Sequence, residues 1–158
     1  MPDARRASRE KAFALLFELS FQPGEAIQTL AERAIEGGDP PPVDGFAMRL
    51  AETAASRLEE LDDTIAKRLK GWKLNRISRV SHALLRLAVC EMLYFDGIPV
   101  GASINEAVEL AKIYGDDGAP KFINGVLGSI ARNKDDLPGG GIPPAPPQGG
   151  LQTPLDPL

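Results

Sequence analysis

Two consecutive stretches decide the fold: Ile104-Asn-Glu-Ala-Val-Glu-Leu-Ala-Lys-Ile-Tyr-Gly115 and Lys121-Phe-Ile-Asn-Gly-Val-Leu127. In the first, Ile104, Ala107, Val108, Ala111 and Tyr114 recur at helical spacing, with Asn105, Glu106, Glu109 and Lys112 on the opposite side. Gly115 ends that helix. In the second, Pro120 stands where a first-turn proline is tolerated, and Ile123, Val126, Leu127 and Ile130 form an apolar stripe. Two amphipathic helices joined by a short glycine-containing turn predict an antiparallel helical pair.

The rest of the chain reads the same way. Periodicity predicts seven helices, near residues 4–20, 25–35, 44–56, 58–69, 78–95, 99–114 and 120–133. Breakers mark the joints: Pro23-Gly24, Gly37-Gly38 with Pro40 to Pro42, Gly97, and Gly115 to Gly118. The segment from Leu84 to Phe95 is apolar on nearly every side, broken by Arg86 and Glu91, which marks a buried central helix. Cys90 lies within it and reads as a small buried thiol rather than a nucleophile. No run alternates convincingly enough for a strand. The expected architecture is all-α, a domain over residues 4–134 of about seven helices.

The composition changes after Leu137. Residues 138–158 hold seven prolines and five glycines with a single charge, Asp156. That segment has too little apolar surface to offset its ordering entropy and reads as a disordered tail. Its Pro143-Pro-Ala-Pro-Pro147 run suits polyproline II, with an inert extension the simpler expectation.

Charge is segregated along the chain. From Glu18 to Asp63 there are eleven acids and three bases, whereas from Thr64 to Cys90 there are seven bases and no acid. Behind the net charge of −4, this segregation is compatible with one face for a polyanion and another for a basic protein, the alternative being that the fold simply interleaves these segments. A single cysteine excludes an internal disulfide and fits a reducing cytoplasm. Neither a leader pattern nor a membrane-length apolar run is evident.

Enzymatic readings fail on inventory. His82 and Cys90, the sole residues of their types, are eight positions apart on one predicted helix, roughly 12 Å along its axis, too far for a thiolate–imidazole pair. One His and one Cys make no zinc site, and no Gly-rich phosphate loop occurs. Glu59-Glu60 and Asp62-Asp63 look like a solvated helix face. No catalytic residue, metal or cofactor is expected.

Binding chemistry is easier to find. At 100° per residue, Arg5, Arg6 and Arg9 share one quadrant, which carries Ala12, Phe13 and Leu16 a turn or two later. The helix start should overhang the core while the remainder packs into it. Cations in the first turns oppose the helix dipole, which points to an anionic ligand, the alternative being a frayed, solvated end. Phe122 falls about 90° from the middle of the last helix's stripe, and Lys121 points away from it. This pair suits stacking a base and holding a phosphate, unless Phe122 simply closes the core. Asn124 serves packing or reaches a base edge. Trp72, among Lys70, Lys73 and Arg76, is either a core plug or part of an RNA track.

The two opening stretches, with Arg5-Arg-Ala-Ser-Arg-Glu10, Trp72-Lys-Leu-Asn-Arg-Ile77 and Leu85-Arg-Leu-Ala-Val-Cys-Glu91, resemble the NusB family of bacterial transcription antitermination factors from about Ala4 to Asn133. The resemblance implies two small helical sub-bundles packed together, and single-stranded boxA-type RNA of ribosomal RNA leaders as ligand. It also implies a pairing with the ribosomal protein NusE, and assembly with other Nus factors on the elongation complex. It places Arg5, Arg6, Arg9, Lys121 and Phe122 on the RNA surface. It puts the NusE surface on the late first helix and the start of the central one, where Phe17, Phe21 and Ser81 lie without matching a fixed motif. Ala7 and Ser8 make the arginine run less basic than in some members. Two alternatives stay open: the NusB-like accessory domain of RNA cytosine methyltransferases, which needs a Rossmann-type domain downstream, and a helical interaction module. A homodimer is compatible with each.

Overall fold

The computed structural model describes residues 2–42, 44–69, 71 and 73–133, with side chains from Arg5 onward. The tail, Lys70 and Trp72 lie outside the described residues.

Seven α-helices follow in order: α1 (Pro2–Phe21), α2 (Ile27–Glu36), α3 (Gly45–Ser56), α4 (Leu58–Ala66), α5 (Arg79–Tyr94), α6 (Val100–Tyr114) and α7 (Ala119–Arg132). A single 3-10 turn at Leu74–Arg76 precedes α5. The described residues contain no strand. Predicted and observed boundaries agree within a few residues, because the breakers that were read as joints are joints. Asp44 caps α3 by accepting the Phe46 amide at 3.1 Å, and Ser78 caps α5 by accepting that of Ser81 at 3.0 Å. Gly97 turns the chain between α5 and α6 at φ +80°, a conformation that side chains disfavour. Gly115 is needed for a different reason. Its φ is −96°, but a Cβ there would stand 2.6 Å from that of Ala119 and 3.0 Å from the Ala111 carbonyl, so only glycine lets α7 start so close to the end of α6.

α1, α2 and α3 pack on one another as one sub-bundle, and α4, α6 and α7 gather around α5 as the second. α5 also packs against α1 and α3, so it is the shared spine. Its residues from Ala83 to Glu91, except Arg86, are buried, as the all-round apolar pattern predicted, whereas Met92 to Phe95, the end of that stretch, are only half-buried. Cys90 is enclosed here, and burial, reinforced by the charge of Glu91, pushes its thiol up to about 12. No described helix is long and apolar enough to cross a membrane.

α7 departs from the amphipathic reading. It packs against α6, α5 and α4 at once, and it buries Ala119, Phe122, Gly125 and Ser129 as well as its aliphatic stripe. Small residues at 125 and 129 allow a neighbour to approach the side where Phe122 lies. Phe122 is thus 1% exposed and belongs to the core, so the expectation that it sits at the rim is corrected. A stripe's edge is solvated only when the helix has one neighbour.

Candidate nucleic-acid interface

The three N-terminal arginines have three different environments. Arg5 is exposed, and its guanidinium carbon lies 4.1 Å from the centroid of the Phe46 ring. Arg6 is partly exposed and grips Glu106 on α6 with two hydrogen bonds of 2.8 and 3.0 Å. That bond holds the Glu106 carboxyl below its ordinary range, against the opposing effect of its burial. Glu106, expected on the polar face of its helix, is buried to make this contact.

Arg9 overturns the expectation that all three arginines overhang the core. Its side chain is 7% exposed and forms a bidentate pair with Glu91 at 2.5 and 2.9 Å; Glu91 is 1% exposed. The Ser103 hydroxyl donates to the same carboxylate at 2.7 Å. Arg9, Glu91 and Ser103 therefore form a buried polar clamp joining α1, α5 and α6. The quadrant of an isolated helix does not show this, because α5 and α6 close over the second turn of α1. Glu91, the single acid on the largely apolar stretch of α5, was the available signal, since a buried carboxylate calls for a cation.

Lys121 and Asn124 are exposed on the first turns of α7, three residues apart on a side that Phe122 does not share. In this conformation Phe122 presents no face to a base. The turn leading into α7 follows Tyr114, whose ring lies 5.1 Å from Phe13 and whose hydroxyl bonds to Glu10. Arg6 meets Glu106 earlier on α6. Glu106, the partner of Arg6, thus precedes Tyr114 by eight residues, roughly 12 Å of rise along α6. Lys112, read as an exposed i,i+3 partner of Glu109, is that, at 3.0 Å.

The weakly placed partner residues also divide. Phe21 is 53% exposed, stacks edge-on with Phe17 at 5.1 Å, and carries Arg79 over its ring at 4.4 Å. Beside Arg79 opens a cleft of about 560 Å3 lined by Leu19, Pro23, Leu58, His82 and Arg86 among others. Ser81 is fully buried with its hydroxyl unpartnered, so it cannot touch a docked protein directly. The exposed groups of that helix turn are Arg79 and, in part, His82. Arg86, a member of the basic run, is spent on Asp62 at 2.8 and 2.9 Å, and His82 reaches the same carboxylate at 2.8 Å. Burial alone would raise Asp62, but these hydrogen bonds outweigh it and take the carboxyl down to about 2. Asp62 is therefore not part of a solvated face.

Fold and surface together define an all-helical protein of two sub-bundles around one spine, with exposed cations at the starts of α1 and α7. A family model described as the NusB family matches residues 6–132. A transcription antitermination protein NusB of Carboxydothermus hydrogenoformans is 45% identical over 139 residues, covering 84% of this chain and 96% of its own. The structure of T. maritima NusB superposes with a TM-score of 0.72 at 35% identity, over 80% of this chain and 89% of that one. A structure of antitermination factors NusB and NusE in complex with dsRNA gives 0.71 at 30% identity, over 82% and 97%. The chain belongs to the NusB family.

Proposed function

We propose that this protein is a transcription antitermination factor that, together with NusE, binds boxA-type RNA of ribosomal RNA leaders and joins other Nus factors on the cytoplasmic transcription complex. The mechanism is recognition without bond chemistry. Cations hold the phosphate backbone, exposed bases supply sequence choice, and a protein partner completes a composite site.

The observation that carries this reading is the guanidinium of Arg5, exposed at the start of α1 in a chain that resembles a NusB crystallised with NusE and dsRNA. Arg6, Lys121 and Asn124 are the further RNA contacts in this reading. Arg9 and Phe122 support the surface from beneath instead of touching the ligand. NusE docks along Phe21, Phe17 and Arg79 beside the cleft at the α1–α5 contact, where an exposed aromatic and a cation adjoin an apolar recess.

The test is an electrophoretic shift with a boxA-type RNA and a scrambled control, each with and without NusE. Selective binding that NusE strengthens is expected. Equal binding of both RNAs, or none, refutes the reading in favour of a helical interaction module.

A further inference from the structure

Phe46, at the start of α3, is a hub for cations. Arg5 lies 4.1 Å from its ring centroid, and the guanidinium carbons of both Arg9 and Arg49 lie at 5.7 Å. Arg49 is also 5.9 Å from the ring of Phe95, which stands edge-on to Phe46 at 5.6 Å. Of these three arginines, Arg9 is buried and neutralised by Glu91. Arg5 and Arg49 are exposed, and among the described residues neither forms an ion pair. Asp44, the cap of α3, turns its carboxylate to the Phe46 amide and to the Ser8 hydroxyl. Arg49 folds back along its helix until one terminal nitrogen is 3.7 Å from where a Cβ on Gly45 would stand, which brings its charge to the amide end of α3. A cation at that end opposes the helix dipole and is relieved by an anion.

The two ring distances put the Arg5 and Arg49 guanidinium carbons no more than about 10 Å apart. Both guanidinium groups lie within 6 Å of the centroid of one ring that is itself 4% exposed, so a core side chain backs the pair. Stacked guanidinium groups keep their edge N–H donors free, and that planar fork suits phosphate oxygens.

We infer that Arg49 is a phosphate-binding residue. With Arg5 it forms a two-guanidinium cradle over Phe46 that extends the RNA path from α1 onto α3 and takes the backbone of a single strand. This inference rests on the proposed RNA-binding function. It replaces the contiguous arginine run of α1 with a site divided between two helices.

The experiment measures boxA-type RNA affinity with NusE present, over a series of salt concentrations, for the wild-type protein, Arg49→Gln, Arg49→Lys and Arg5→Gln. Thermal melting of each variant is the folding control. Each lost phosphate contact on a single strand should flatten the log–log salt slope by about 0.7. Arg49→Gln and Arg5→Gln should each show that flattening with weaker binding at low salt, while Arg49→Lys keeps the slope. Unchanged melting is expected throughout, since both side chains are exposed. Wild-type slope in Arg49→Gln overturns the inference, whether or not affinity falls, and leaves the functional reading intact if Arg5→Gln still flattens. Absence of RNA binding by the wild-type protein overturns both.

Discussion

Replacing Arg9 with Ala tests how α1 is attached to the second sub-bundle. The Arg9 guanidinium makes two charge-assisted hydrogen bonds to Glu91, whose carboxylate is enclosed at 1% exposure and also accepts from Ser103. Truncation leaves a buried carboxylate with a single hydroxyl donor, and breaking a buried pair from one side costs about 3–5 kcal/mol. That is a large share of the 5–15 kcal/mol that holds a domain of this kind together, so urea unfolding should show a sharply lower midpoint with little change in slope. Exchanging both partners, Arg9→Met with Glu91→Leu, should recover most of the loss, because an apolar pair of similar volume removes the desolvation cost as well as the attraction. The Ser103 hydroxyl then lacks its acceptor, which sets the residual deficit at about 1 kcal/mol. In RNA titrations below its melting temperature, Arg9→Met should keep the wild-type salt slope, since the clamp holds this guanidinium away from phosphate. A loss under 1 kcal/mol on Arg9→Ala, or a flattened slope in the folded Arg9→Met protein, would refute the clamp and return Arg9 to the RNA surface.

Phe122→Ala should cost about 3–5 kcal/mol of unfolding free energy, as for other buried aromatics, whereas Phe122→Leu should retain full RNA affinity; weakened RNA binding by a stably folded Phe122→Leu protein would restore the stacking role. Asp62 supplies a pH signature. Its folded pKa, about 2, lies below the ordinary aspartate value of 3.8, so the native state binds fewer protons and its contribution is complete above about pH 4 and lost as pH falls towards 2. Allowing for partial exposure, that contribution is about 1–2 kcal/mol, and Asp62→Asn should remove this acid-sensitive part of the stability curve; an unaltered curve in urea melts at pH 5 and 2.5 would contradict it. Gly115→Ala forces a Cβ into the α6–α7 corner and should cost about 1–3 kcal/mol by calorimetry, with a neutral result showing that the corner can open.

Helix number, helix boundaries and the central position of α5 were legible in the sequence, because each follows from local information. Breakers end helices by their own backbone preferences, and an apolar stretch with no polar side needs neighbours all round. The fate of particular side chains was not local. Arg5, Arg6 and Arg9 are equivalent on an isolated helix, yet Phe46, Glu106 and Glu91 separate them into an exposed cation, a surface ion pair and a buried clamp. Glu106 and Asp62 read as solvated acids until Arg6 and Arg86 arrive from other helices. Phe122 reads as a rim residue until a second packed face of α7 encloses it. Arg49 carried no signal at all, since it lies within an acidic stretch and acquires its meaning from the ring shared with Arg5, 44 residues away in sequence. Periodicity and turn chemistry determine which segments are helical and which side of each seeks cover. Only the packing of those helices decides which charges face one another across an interface and which remain to meet a ligand, because Coulomb and desolvation energies depend on neighbours that the chain brings together from far apart.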